Sequence, residues 1–238
     1  MQKSPVIVLI SANAEWRSAK EILSPTRVET SPYGEWFSIQ ATHHSSRKEI
    51  LYFHGGWGKI AAAGSCQYAI DQWKPKILIN LGTCGGFAGR IERNTIILVE
   101  RTVVYDIDEQ MGDHAEHIAH YSTQLDLGWL EAAFPRKDYP IPVVCGLLVS
   151  GDRDLSPGDI PDLINRYGAF AGDWESGAIA FVASRNHIPC LILRGVSDLV
   201  DFRGGEAYGN LIIFENAAKQ IMKILIHSLP DWLDRIMA

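Results

Sequence analysis

Residues 50–86 read ILYFHGGWGKIAAAGSCQYAIDQWKPKILINLGTCGG, and the order of elements within them decides the fold. Ile50 to His54 is a short apolar run of strand length. Gly55-Gly56-Trp57-Gly58 then breaks the chain, and Lys59 to Trp73 is Ala-rich and long enough for four helical turns. Pro75 stops that helix. Lys76 to Leu81 is a second apolar run, and it leads into Gly82-Thr83-Cys84-Gly85-Gly86, which reads as a glycine turn. Strand, glycine turn, helix, strand is the grammar of parallel strands joined by a crossover helix.

Outward from this unit the same grammar recurs. Val6 to Ser11 is a continuous β-branched run, suited to a strand covered on both faces. Asn13 is placed to cap a helix through Trp16, Ala19 and Ile22 that ends before Pro25. Trp36 to Gln40 is a further strand, with a turn at His43-His44-Ser45-Ser46. Thr95 to Val99, Arg101 to Tyr105, Val143 to Ser150 and Pro189 to Val196 complete the strand set. Helices are expected around Ser176 to Asn186 and from Leu211 to Leu229, the last closed by Pro230. The polar segment Glu109 to Tyr121 is expected to be mobile. No repeat or linker interrupts the chain, so residues 1–238 are expected to form a single domain.

Composition narrows the class of function. The 238 residues are 47% hydrophobic and 21% charged, enough apolar content for a large buried core. A net charge of −6 and a pI near 5.7 argue against nucleic-acid binding, which needs clustered Lys and Arg. Cys66, Cys84, Cys145 and Cys190 are widely spaced with no Cys-x-x-Cys pair, which fits a reduced, cytoplasmic compartment. The start, Met1-Gln2-Lys3-Ser4-Pro5, leads into an apolar run too short for a signal peptide or a membrane span, so a soluble protein is expected.

Five segments leave predicted strands with polar or glycine residues: Ser11 to Glu15, Gly55 to Lys59, Gly82 to Gly86, Ser150 to Leu155, and Ser197-Asp198. Ligands of open α/β sheets bind where such strand ends converge. Asp198 emerges from the buried run Cys190 to Leu193. A half-desolvated aspartate there is a general-acid candidate; it is equally a loop aspartate bonded to backbone N–H groups. Glu175, in Asp173-Trp174-Glu175-Ser176, either caps the following helix or grips the hydroxyls of a sugar. His114, His117 and His120 share a helical spacing, but no His-Glu-x-x-His is present; surface histidines are expected, with no metal and no cofactor.

Five of these pieces, in order, carry a family resemblance. They are Gly56-Trp57-Gly58-Lys59 with its Ala-rich helix, Ile79 to Gly86, Gly146 to Asp152, Asp173 to Ser176, and Arg194 to Asp198. Together they resemble the nucleoside phosphorylase/nucleosidase superfamily, most nearly the 5′-methylthioadenosine/S-adenosylhomocysteine nucleosidases. The resemblance implies an α/β fold: a three-layer αβα sandwich around a mixed, largely parallel sheet. It implies that Asp198 is the acid that protonates the departing purine at N7, with Ser197 orienting it. It implies that Glu175 holds the ribose hydroxyls and that Thr83, next to Gly82, binds near the nucleophile or sugar.

Departures from the family pattern are specific. Phosphorolytic members carry an Arg before the Gly-Thr turn, where this chain has Asn80-Leu81, and their phosphate loop is replaced here by Ser11-Ala12-Asn13-Ala14-Glu15. Loss of these donors favours water as nucleophile, and Glu15 is the acid of that loop placed to activate it, although it stands one position short of the family spacing. The residue that packs on the base in the family is replaced by Asp154, followed by Leu155. Trp174 supplies either an apolar plate under the sugar or a stacking surface, and Tyr208 is expected beyond the ribose 5′ carbon. The implied function is a purine nucleosidase of methionine salvage that hydrolyses the N-glycosidic bond of an adenosine-type nucleoside, such as 5′-methylthioadenosine or S-adenosylhomocysteine, as a homodimer or larger assembly. A phosphate-dependent phosphorylase and a non-catalytic nucleoside-binding protein are the alternatives.

Overall fold

The computed structural model describes residues 5–43, 46–134 and 137–236. Its strands are β1 (Val6–Ile10), β2 (Glu29–Thr30), β3 (Glu35–His43), β4 (Ser46–His54), β5 (Ile77–Phe87), β6 (Ile96–Val104), β7 (Ser122–Gln124), β8 (Val144–Ser150), β9 (Ala171–Asp173), β10 (Cys190–Asp201) and β11 (Gly204–Gly205). Its helices are α1 (Asn13–Leu23), α2 (Lys59–Trp73), α3 (His114–His120), α4 (Gly128–Ala133), α5 (Ile160–Tyr167), α6 (Ser176–Arg185) and α7 (Leu211–Ile236).

The β4–α2–β5 unit forms as its sequence predicts, and β1 lies parallel between β4 and β5. Side chains of β1 alternate between two cores. Val6, Val8 and Ile10 pack with Trp16 and Ala19 of α1 and with Ile221, Met222 and Leu225 of α7. Ile7 and Leu9 pack with Ala62, Cys66 and Ala69 of α2 and with Ile179 and Ala180 of α6. Helices therefore cover both faces of this strand, and that is why it reads as unbroken Val, Ile and Leu.

The strands form one sheet of both senses. Among the described residues five of its pairings are parallel and six antiparallel, so the sheet is mixed as expected but not largely parallel. Strand β10 pairs parallel with β5 and antiparallel with β6, which closes β5, β10, β6, β8 and β9 into a five-strand ring.

Several local readings are corrected. The Gly82–Gly86 segment is not a turn: β5 runs through it to Phe87, because β10 and β9 supply hydrogen-bonding partners on either side. Likewise β10 continues through Ser197 and Asp198 to Asp201. The two short strands around Glu100 are one strand, β6, with an irregularity between Val99 and Arg101. Residue Asn13 is the first residue of α1; Ala12 is the cap, and its N–H donates to the Glu15 carboxylate at 3.2 Å. Helix α7 does not stop at Pro230, because buried Trp232 and Leu233 hold the next turn in the core and offset a local penalty of about 3 kcal/mol. The Glu109–Tyr121 segment contains helix α3, capped by Asp113 on the N–H of Ala115 at 2.8 Å. Strands β3 and β4 pair up to His43 and Ser46; His44 and Ser45 of the expected turn lie outside the described residues.

Candidate active site

A cavity of about 530 Å³ opens where β5 and β10 run side by side. Residues Glu15, Thr83, Asp154, Leu155, Trp174, Glu175, Ser197, Asp198 and Tyr208 all line it, so nine of the ten candidate residues face one space. Gly82, the tenth, lies beneath it. A Cβ built there would sit 2.2 Å from Arg194 Nη1 and 3.0 Å from both Glu15 oxygens. Only glycine lets the guanidinium and the carboxylate meet across β5.

Asp198 reaches the cavity through a register shift. Val196 pairs with Cys84 and Asp198 with Gly85, leaving Ser197 as an extra residue. An extra residue reverses the faces that follow it. Val196 and Leu199 accordingly pack into the α2/α6 core, while Asp198 and Val200 turn to the cavity. The Asp198 carboxyl accepts from Ser197 Oγ at 2.7 Å and from the N–H of Ala207. Burial raises its pKa against those two donors, and the nearby carboxylates of Glu206 and Asp154 push the same way.

The second group of carboxylates surrounds Arg194, whose side chain is fully buried. Its Nε lies 3.0 Å from Asp173 Oδ2 and its Nη2 3.8 Å from Glu175 Oε2. Nη2 also donates to Asn80 Oδ1 at 2.7 Å, and Nη1 to the carbonyl of Thr83 at 3.3 Å. Asn80 itself donates to the carbonyl of Leu9 at 3.1 Å. Asn80 thus serves to orient an arginine supplied by β10.

Glu175 stands at the N-cap position of α6, but its side chain makes no capping bond. The Asp173 side chain accepts there instead, from Ser176 N–H at 3.1 Å and from Ser176 Oγ at 2.8 Å. The Glu175 side chain is left for the cavity, where it accepts from the N–H of Gly58 at 3.1 Å. Burial pushes its pKa up to about 8, while Arg194 pulls the other way.

Glu15 is 1% exposed and comes close despite its offset in sequence. Its Oε1 accepts from Thr83 N at 2.6 Å and from Thr83 Oγ1 at 2.7 Å. The Thr83 hydroxyl is therefore spent on Glu15. Burial raises the Glu15 pKa, against the pull of Arg194 and these donors. Cys84 lies between the two groups of acids: its thiol is raised by burial and then by Asp173 and Asp198.

The remaining walls are apolar or half-open. Trp174 meets Trp57 edge to face, centroids 5.8 Å apart, and Leu211 and Phe214 of α7 line the same cavity. Tyr208 donates from its hydroxyl to the carbonyl of Leu155 at 2.9 Å. Trp57 stood inside a recognised motif without a role of its own, and no local pattern separates Leu211 and Phe214 from ordinary apolar positions. Arg194 and Asp173 stood inside recognised motifs, but their mutual ion pair joins residues far apart in the chain. Outside the cavity, His117 of α3 lies 3.6 Å from Glu109, and among the described residues no three His, Cys, Asp or Glu side chains are gathered to hold a metal. No described helix is long and apolar enough to cross a membrane.

A family model described as the phosphorylase superfamily matches residues 7–229. The 5′-methylthioadenosine/S-adenosylhomocysteine nucleosidase of Listeria welshimeri is 30% identical over 193 residues, covering 76% of this chain and 82% of the relative. Among solved structures, the nucleosidase of that name from Helicobacter pylori, bound to butyl-thio-DADMe-Immucillin-A, superposes with a TM-score of 0.78 at 18% identity, covering 97% of this chain and 100% of the other. Futalosine hydrolase of Helicobacter pylori superposes with a TM-score of 0.77 at 18% identity, covering 100% and 99%. At these identities the structural likeness speaks for the fold.

Proposed function

The chain belongs to the phosphorylase superfamily, and we propose on that premise that it is a purine nucleosidase, hydrolysing the N-glycosidic bond of an adenosine-type nucleoside. The observation that carries this reading is the pair of unlike carboxyl groups, Asp198 and Glu175, in one cavity. Breaking the bond builds negative charge on the base and positive charge on the sugar. The first needs a proton and the second a carboxylate.

Asp198 is the acid. Burial and the nearby acids Glu206 and Asp154 raise its pKa, which suits it to donate a proton to N7 of the purine, and Ser197 fixes the carboxyl in place. Glu175 grips the ribose hydroxyls and faces the ring as it becomes oxocarbenium-like. Glu15 orients and deprotonates the attacking water. Its two donors on Thr83 and one on Ala12 fix the carboxylate so that an outward lone pair meets the water.

Water is favoured over phosphate on electrostatic grounds. Glu15, Asp154, Asp173, Glu175 and Asp198 line the cavity, and Arg194 is already engaged by Asp173, Glu175 and Asn80. Arg153 at the rim is paired with Asp159. A phosphate dianion would meet acids without a free guanidinium to offset them. The indoles of Trp57 and Trp174, with Leu211 and Phe214, support an apolar 5′ substituent such as the thioether of methylthioadenosine. Methionine salvage, a cytoplasmic location and a homodimer accompany this reading, as does a single domain folded as a three-layer αβα sandwich. Release of free base from 5′-methylthioadenosine, measured with and without phosphate, tests it: equal rates are expected, and strict dependence on phosphate would overturn hydrolysis.

A further inference from the structure

Glu175 owes the position of one oxygen to the loop before α2, which also carries Trp57 on the cavity wall. The donor at 3.1 Å is the N–H of Gly58, at the tip of the Gly55–Gly58 break before α2. Gly58 sits at φ +86°, a conformation that glycine adopts readily and other residues resist, and its loop is tied to two other segments.

What holds it is a knot of three charged side chains from three segments. The N–H of Lys59 donates to Asp152 Oδ1 at 2.7 Å. The Lys59 ammonium pairs with Asp106 Oδ1, and Asp106 Oδ2 accepts from the N–H of Asp152 at 2.8 Å. Asp106 follows β6, Asp152 follows β8 and Lys59 opens α2, so no two of them share an element. The Lys59 and Asp106 side chains are only 22% and 12% exposed, which keeps the pair less screened than a surface bridge. Gly151 makes room for the knot: a Cβ there would lie 3.0 Å from the Asp106 carboxyl carbon. None of Asp106, Lys59 or Asp152 lines the cavity.

We infer that Asp106 is a positioning residue for the sugar-binding carboxylate, acting through Lys59 and the Gly58 N–H on Glu175. The same knot anchors Asp152, the residue before Arg153, Asp154 and Leu155 on the cavity wall, so it ties the two sides of the site together. A loosened loop leaves Glu175 with an unpartnered oxygen and a wider range of positions, and displacements of about 1 Å at such a group cost on the order of a hundredfold in rate. The inference rests on the reading that Glu175 holds ribose hydroxyls.

The test compares full-length wild type, Asp106→Ala, Asp106→Asn and Lys59→Met on 5′-methylthioadenosine and on its 3′-deoxy analogue. Wild type is expected to favour the ribo substrate in kcat/KM. Asp106→Ala should lower kcat/KM for the ribo substrate about ten- to a hundredfold and leave the 3′-deoxy substrate nearly unchanged, so that the preference collapses. Asp106→Asn keeps an acceptor for Asp152 and should fall between; Lys59→Met approaches the pair from the other side and should match Asp106→Ala. If Asp106→Ala fails to fold, the other two carry the comparison. Equal losses on both substrates, with the preference intact, would show a structural role only and overturn the inference. A wild-type chain that releases no base from either nucleoside overturns the nucleosidase reading, and the positioning role falls with it.

Discussion

Two clusters of acids share the cavity and are built on opposite terms. Around Arg194, the acids Asp173, Glu175 and Glu15 are almost fully buried and share one guanidinium, held in orientation by Asn80 and the Thr83 carbonyl. Around Asp198 the groups that set its proton affinity are Ser197, the Ala207 N–H and the acids Glu206 and Asp154. Buried charge is tolerated where it is paired, and an unpaired buried acid keeps its proton. The comparison teaches that residue type does not assign a role here: the neighbours divide the carboxyl groups into a proton donor and a set that shares one cation and, with Glu175 raised to about 8, a proton as well.

The sharpest break of that contrast is Asp198→Asn, which keeps the shape and removes the transferable proton. Base release should fall by about a thousandfold with the melting temperature unchanged; retained turnover would end the acid role. On the other side, Arg194→Met removes the shared cation and strands its acids. Urea denaturation should show a loss of about 3–5 kcal/mol, and an unaffected midpoint would mean that the cluster does not depend on its guanidinium. Glu15→Gln keeps an acceptor for Thr83 but cannot take a proton, and hydrolysis should slow about a hundredfold; an unimpaired rate would point to another group on the water.

The smallest effect concerns pH. Glu175 has an ordinary value of 4.5 that burial lifts to about 8. Between those values the folded chain keeps a proton that the unfolded chain has released, so this residue makes stability decline as pH rises through the window. Glu175→Gln should flatten that decline in a series of melting temperatures from pH 4.5 to 8; an identical slope would show that Arg194 outweighs burial at this site.

Much of this was legible in the chain. The β4–α2–β5 unit announced itself by composition and punctuation; Asp198 and Glu15 stood at strand ends and Glu175 before a helix, and the family resemblance gave them roles. The errors have a common cause. Gly82–Gly86 and Ser197-Asp198 were read as strand exits because glycine and polar residues locally favour turns. In the folded chain β5 and β10 pair through both segments, and the ladder overrides local preference. Pro230 misled in the same way, since a distant core holding Trp232 decides that the helix goes on.

Residue order alone was enough for the alternation of elements and the apolar faces, because these follow from short-range periodicity, whereas the roles of the acids came only from the family resemblance. Residue order could not tell that the Asp173 side chain rather than that of Glu175 bonds the start of α6, that Asn80 steers an arginine from β10, or that Ser197 is the extra residue that turns Asp198 inward. Each of those depends on a partner brought near only when the ring of strands closes. Electrostatic character belongs to the neighbourhood, and the neighbourhood does not exist until the chain has folded.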